Sequence, residues 1–421
     1  MRGGQGLFPE SRGLSGGLAS SMNVVIVGNG LAGTMAAKTI RGLDDRASVV
    51  VFAAENRLYY PRPNLIEFIA GRLPEDKLYA FPADWAAKNR IDLRLGTAVR
   101  RLHPSEKSVE AADGSIVRYD RLLLADGASS AVPPIVGADK PGVFTVRTLD
   151  DARALLEYFR THPRVAVLGG GLLGLEIARA LRFRGAEVTV AEIFPSLLPR
   201  QLDPPGGEIL KARLEETGLR VLLGVAAAEI TGASEARGIV FKDGTRLDAD
   251  LVVLAAGVRP NTALARDAGL AVDRGVTVDD RMATSAPDIF AAGDGTEHRG
   301  RLYGIIPASF AQSRTAAENI CGRTKTYEGT VPSNQLKVSD LPLLSAGIIR
   351  PEEPGFEEFR LSRPVSGLYK KIVLKDGVLA GAVWMGTKIG AAEIAAAVAA
   401  GKNVAAWKAD ILEDGFDFKR L

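Results

Sequence analysis

The stretch Asn23-Val-Val-Ile-Val-Gly28-Asn-Gly30-Leu-Ala-Gly33 decides the fold, because the chain repeats its pattern as Arg164-Val-Ala-Val-Leu-Gly169-Gly-Gly171-Leu-Leu-Gly174. In each copy a short apolar run predicts a strand, and the stretch after the glycines, to about Arg41 or to Gly185, predicts a helix. A second apolar run follows: Ser48–Phe52, leading to Glu55, and Glu187–Val190, ending at Glu192. Each copy is a β-α-β unit. A lone G-x-G-x-x-G arises by chance. With a strand before it, a helix after it and an acidic residue about 20 positions on, it is a dinucleotide-binding fingerprint.

The echo continues downstream. Ala112–Ala128 and Lys242–Val258 each contain an Asp-Gly hairpin turn, an acidic residue, an apolar strand and a small residue before glycine. The sections between, Ile91–Leu102 and Leu219–Ile230, are expected to form small antiparallel strands. After about Val331 come a Pro-punctuated stretch, a hairpin over Leu368–Val383 turning at Asp376-Gly377, and a helix from about Ala391. The expected class is α/β, with two Rossmann-like dinucleotide-binding domains and a small α+β C-terminal domain. Their limits are 22–130 with 265–330, 131–264 inserted between, and 331–421, after a flexible extension at 1–21.

With 46% hydrophobic and 24% charged positions, a chain of 421 residues can bury more than one core, which excludes collagen-like and disordered classes. Lys+Arg 53 against Asp+Glu 50 leaves a scattered net charge of +3, which argues against a nucleic-acid partner. Cys321 is the single cysteine, so an internal disulfide, a CxxC pair and a thiolate metal site are excluded within this chain. His103, His162 and His298 are too few for a His-rich centre, so no metal site is expected. The apolar stretches Gly377–Met385 and Ala391–Ala400 fall short of the roughly 20 residues that span a bilayer, and residues 1–21 lack a secretory apolar core. A cytoplasmic protein whose chemistry is carried by something bound is expected.

The glycines have distinct tasks. Gly28 and Gly169 allow the tight strand-to-helix turn, Gly30 and Gly171 leave room for a pyrophosphate, and Gly33 and Gly174 let the helix pack on the strand. The helix N-terminus offers N–H groups to the phosphates. Glu55 and Glu192 stand where a carboxylate accepts hydrogen bonds from a ribose diol, although either alone also reads as a solvated strand end. At Glu192 a carboxylate repels a 2′-phosphate, which favours NADH over NADPH. Two nucleotide sites in one chain suggest two cofactors that exchange electrons. Thr284–Asp294 ends an apolar strand in Gly293-Asp294, where the aspartate can bind a ribityl hydroxyl or cap a helix.

These residues resemble the FAD-dependent pyridine nucleotide oxidoreductase family, with the glutathione-reductase type of fold, and within it most resemble NADH:rubredoxin oxidoreductases. Further stretches carry the likeness: Leu58–Glu67, Pro199–Asp203 with Gly206-Gly207, Leu336–Ser339, and Gly386-Thr-Lys388. The resemblance implies that Gly28, Gly30, Glu55, Arg62, Pro63, Gly127 and Asp294 line a bound FAD. Gly169, Gly171, Leu173, Glu176, Glu192 and Gly257 would line NADH, with Glu176 orienting the nicotinamide side. Glu176 also reads as a residue that caps or pairs locally.

Three positions depart from the family. The stretch Tyr59–Glu67 lacks the redox cysteine of disulfide-reducing relatives, and Cys321 reads as a small buried residue. Glu67 stands where ferredoxin-reductase relatives have lysine, and it is expected to help set flavin potential. Ala125-Asp126-Gly127 replaces the usual Ala-Thr-Gly. The implied function is electron transfer between NAD(H) and a rubredoxin-like or ferredoxin-like carrier. One alternative is a flavoprotein subunit of a larger iron–sulfur enzyme, such as a phenylglyoxylate-type 2-oxoacid dehydrogenase; another is a non-catalytic dinucleotide-binding regulatory protein. A sequence pI of about 8.8 suits an acidic partner, with Arg360, Arg363, Lys370 and Lys371 as candidate rim charges.

Overall fold

The computed structural model describes residues 21–338 and 341–421, so the extension expected at 1–21 lies outside the described residues except for Ser21. Two five-stranded parallel sheets form the body, each with its fingerprint strand in the middle. In the first the order is Ile289–Ala291, Arg121–Leu124, Asn23–Val27, Ser48–Phe52, Ile91–Arg94. In the second it is Val143–Phe144, Leu251–Leu254, Arg164–Leu168, Glu187–Glu192, Arg220–Leu223. Val24–Val27 and Val165–Leu168 are buried throughout, as continuous apolar runs must be when helices cover both faces of a sheet. The register is the same in both: Val25 faces Val50 and Leu122, and Ala166 faces Thr189 and Val252. A two-stranded antiparallel ribbon, Ala128–Ser130 with Val258–Pro260, carries the chain between the sheets.

The intervening sections differ from expectation. Only their second halves, Val99–His103 and Ala227–Thr231, enter three-stranded antiparallel sheets. Their first halves, Ile91–Arg94 and Arg220–Leu223, are edge strands of the parallel sheets. Gly96 and Gly224, at φ +65° and +71°, divide each run at the same place and turn the chain out of a parallel sheet into an antiparallel one.

The last segment is a five-stranded antiparallel sheet with the helix Ala391–Ala399 packed on it through Ile394, Ala397 and Val398. Its central hairpin turns at Asp376-Gly377, both at positive φ, as the Asp-Gly pair predicts.

The candidate rim charges require correction. Lys370 and Lys371 are buried, because Leu368–Lys375 is an inner strand covered on both faces. Lys371 Nζ donates to Asp203 Oδ2 at 3.0 Å and to the Ile349 carbonyl at 2.8 Å, while Lys370 Nζ donates to the Leu412 carbonyl. Asp203 also accepts from Tyr369 and Arg360. The Pro199–Asp203 stretch thus joins the second sheet's unit to the C-terminal sheet through buried charge. Removing one partner of such a pair typically costs about 3–5 kcal/mol. Arg363 is paired with Asp414 and Arg360 with Glu358.

Candidate functional site

In open parallel sheets ligands bind beyond the carboxyl ends of the strands, and both glycine loops lie there. At the first loop Gly28 has φ +108°, and a Cβ on it would stand 2.2 Å from the Ala125 carbonyl oxygen. A Cβ on Gly33 would meet the Gly28 carbonyl oxygen at 1.9 Å. Among the described residues a Cβ on Gly30 would meet nothing within 4 Å. The second loop repeats this: Gly169 at φ +125° and 2.5 Å from Ala255 O, Gly174 at 2.0 Å from Gly169 O, and Gly171 in open space. Among the described residues no side chain caps either helix, Leu31–Leu43 or Leu172–Phe183, so the first-turn N–H groups remain available to an anion. Each loop therefore fits a dinucleotide: closed where backbone crosses backbone and open where a diphosphate approaches.

The acidic residues are held differently. Glu55 accepts from the Tyr60 hydroxyl and from both ends of the Arg62 guanidinium, and Tyr60 Oη also accepts from the Leu149 amide at 2.9 Å. This cluster ties the end of the strand Ser48–Phe52 to the helix Leu149–Phe159, and Pro63 leads directly into the helix Asn64–Ile69. Burial pushes the Tyr60 hydroxyl well above its ordinary range. Glu192 is buried and takes both its hydrogen bonds from the backbone: Gly170 N of the fingerprint itself and Phe194 N at 2.9 Å. Beyond it Ile193 and Phe194 are exposed, so the segment adjoining Glu192 is apolar.

Gly127 and Gly257 occupy matching strand ends at φ +70° and +95°. Asp294 pairs with Arg147 at 2.8 Å and does not cap a helix; the following helix, Ile306–Ile320, begins after Ile305. Next to it Gln312 Oε1 accepts from Gly293 N at 2.9 Å, while its buried Nε2 lies toward the Tyr327 hydroxyl.

Glu67 and Glu176 are brought together where the helices Asn64–Ile69 and Leu172–Phe183 pack. Arg179 lies with them, 3.5 Å from Glu67. Burial raises the Glu176 carboxyl, Arg179 opposes that shift and Glu67 adds to it. Leu173 is half-buried on the same helix's first turn. Cys321 sits at the end of the helix Ile306–Ile320 with its thiol pushed up to about 11 by burial, the opposite of an activated thiolate.

Sequence reasoning missed Tyr60, Arg147, Arg179 and Asn261. Arg179 was readable, since it lies one turn beyond Glu176. Arg147 and Asn261 have no local signal, because their partners, Asp294 and the Asp126 carbonyl, are more than a hundred positions away. Among the described residues no helix is long and apolar enough to cross a membrane, and no group of His, Cys, Asp and Glu could hold a metal ion.

Residues 22–316 match the family pyridine nucleotide-disulphide oxidoreductase, and residues 332–402 match the rubredoxin NAD+ reductase C-terminal domain. The chain is 39% identical to the nitrite reductase [NAD(P)H] of Bacillus subtilis (strain 168), over 86% of this chain and 45% of that protein. It is 30% identical to the NADH-rubredoxin oxidoreductase of Clostridium acetobutylicum, over 88% of this chain and 93% of that one. The crystal structure of a covalent putidaredoxin reductase–putidaredoxin complex superposes with a TM-score of 0.85 at 25% identity, covering 95% of this chain and 97% of that chain. The chain spans less than half the length of several curated relatives it matches.

Proposed function

The chain belongs to the pyridine nucleotide-disulphide oxidoreductase family, and from that premise we propose that it passes electrons between NAD(H) and an iron–sulfur or rubredoxin-type carrier through FAD, without a redox-active thiol. The observation that carries this reading is the duplicated glycine loop, closed and open at the same positions in both copies, in a chain whose one thiol is raised by burial. FAD would be held at the first loop by Gly28, Gly30, Gly33, Glu55, Arg62, Pro63, Gly127 and Asp294. NADH would be held at the second by Gly169, Gly171, Leu173, Gly174, Glu192 and Gly257. We assign the first site to limits 22–130 with 265–330, the second to 131–264, and the covering unit to 331–421.

When bound, FAD supplies a group that takes a hydride from NADH and releases electrons one at a time. The chain's own residues bind and orient. Helix N-termini neutralise diphosphate charge, and Glu192, fixed by Gly170 N, offers its remaining lone pairs to a ribose diol while opposing a 2′-phosphate. Glu176, held beside Arg179 and Glu67, keeps its place on the helix that covers the nicotinamide end. Tyr60, hydrogen-bonded to both Glu55 and Leu149 N, locks the two units in the orientation this requires.

The acceptor is a protein carrier working in the cytoplasm. A second reading is favoured by the relatives of about twice this length: the chain serves as the NADH-oxidising part of a larger iron–sulfur enzyme. The test is the visible spectrum of the purified chain, titrated with NADH without air. A flavin spectrum that bleaches supports the reading, and a flavin that stays oxidised overturns it. In Gly30→Val, normal FAD content would overturn the assignment of the first site. Co-purification with iron–sulfur chains would favour the second reading.

A further inference from the structure

The two glycine sites differ at one position that the nucleotide reading leaves unexplained. The strand Arg121–Leu124 ends in Ala125-Asp126-Gly127, whereas its counterpart Leu251–Leu254 ends in Ala255-Ala256-Gly257. Asp126 stands over the loop: the position of a Cβ on Gly28 lies 3.0 Å from Asp126 N. Its carbonyl accepts from Asn261 Nδ2 at 2.7 Å, which pins the backbone, yet among the described residues no side chain donates to its carboxyl group. The charged groups on the adjoining elements are engaged elsewhere or lie apart. Arg147 and Asp294 close on each other at 2.8 Å, Arg41 is spent on backbone carbonyls at the far end of its helix, and Arg259 lies on the exposed ribbon. A half-buried carboxylate without a counter-ion, on a residue that adjoins a loop shaped for a diphosphate, would disfavour an anionic ligand there. A neutral carboxylic acid there has a donor to give.

We propose that Asp126 grips the nucleotide at the first site as the neutral acid, donating its proton to the ligand, so that flavin binding takes up a proton and weakens as pH rises. The inference rests on the reading that FAD occupies this site. Burial, with no charged neighbour contributing, raises the free Asp126 carboxyl to about 7, so the group changes state in the working range. An anionic ligand beside it raises it further. Proton uptake on binding follows by linkage.

The experiment is FAD binding to the full-length apoprotein from pH 6 to 9, followed by flavin fluorescence, with calorimetry in two buffers of different ionisation enthalpy to count protons. For the wild type the Kd rises about tenfold per pH unit above 7, about a hundredfold in all, and nearly one proton is taken up at pH 8. Asp126→Asn, which keeps a donor at every pH, binds as the wild type does at pH 6 and shows a flat profile. Asp126→Ala, the residue found at the matching position of the second site, is flat and weaker at pH 6. A flat wild-type profile with no proton uptake overturns the inference and leaves the FAD reading standing. A slope that persists in Asp126→Asn assigns the titration to another group and also overturns it. Absence of FAD binding at every pH overturns both.

Discussion

The first and second glycine sites share a backbone and differ in side chains. At both, a Cβ on the last glycine would stand about a bond length and a half from a carbonyl oxygen, 1.9 Å at Gly33 and 2.0 Å at Gly174, and the middle glycine faces open space. Their acidic residues, in contrast, have different keepers. Glu55 is held by side chains from the next segment, Tyr60 and Arg62, whereas Glu192 is held by the amide of its own glycine loop. The first site also has Asp126 where the second has Ala256. The main-chain crossing has a single steric solution, so duplication preserves it. The side chains around it have many, so they are free to diverge between the copies.

The sharpest way to break this comparison is at the shared glycines. Gly33→Ala and Gly174→Ala each force a methyl onto a carbonyl oxygen and should each destabilise by about 3 kcal/mol or more, measured by denaturant unfolding. Gly30→Ala and Gly171→Ala should leave stability within about 1 kcal/mol, the cost or gain of a glycine-to-alanine change in open space. Equal tolerance at all four positions would show that the packing role is misassigned.

Asp126 offers the next largest effect. Its folded-state carboxyl is raised above the unfolded value of 3.8 to about 7, so its contribution to stability is present below pH 4 and lost as pH climbs through about 7. Apo Asp126→Asn should match the wild type near pH 4 and exceed it at pH 8 by about 4 kcal/mol, read from unfolding curves at both pH values. No such gain is expected from Ala256→Asn.

The two acids should separate in specificity. Glu192→Gln should narrow the preference for NADH over NADPH about tenfold in kcat/KM, roughly 1.4 kcal/mol, whereas Glu55→Gln should leave that ratio unchanged and lower flavin content. A shift of the ratio by Glu55→Gln would interchange the two sites.

The smallest effect is expected between them. Glu67 is about two-fifths exposed and 3.5 Å from Arg179, so Arg179→Met should cost less than about 1 kcal/mol in stability. It should also move the Glu176 titration upward, because Arg179 opposes the effect of burial there. A downward shift, followed by carboxyl NMR, would remove Arg179 from the cluster.

Much of this was legible in the chain. The glycine spacing gave both loops and the roles of their glycines because turn geometry and helix packing act within a dozen residues. The runs Ile91–Leu102 and Leu219–Ile230 were read as antiparallel throughout because each joins two short strands at a glycine, Gly96 or Gly224, and neighbouring strands alone decide which sheet each half enters. Lys370 and Lys371 were read as surface charges for a related reason. Composition marks lysine as exposed, and only the inner place of Leu368–Lys375 in its sheet, with Asp203 opposite, makes burial tolerable.

What the sequence determined by itself is the duplicated β-α-β frame, the acidic residue at each second strand end and the lack of a second thiol, all set by local backbone sterics or simple count. What only the tertiary structure decided is which charges meet. Glu55 with Arg62, Glu67 with Arg179, Asp294 with Arg147 and Asp203 with Lys371 are pairings of groups that the fold carries together. Among the described residues Asp126 is left without such a partner; electrostatic energy depends on distance and burial, and neither is written in the order of the residues.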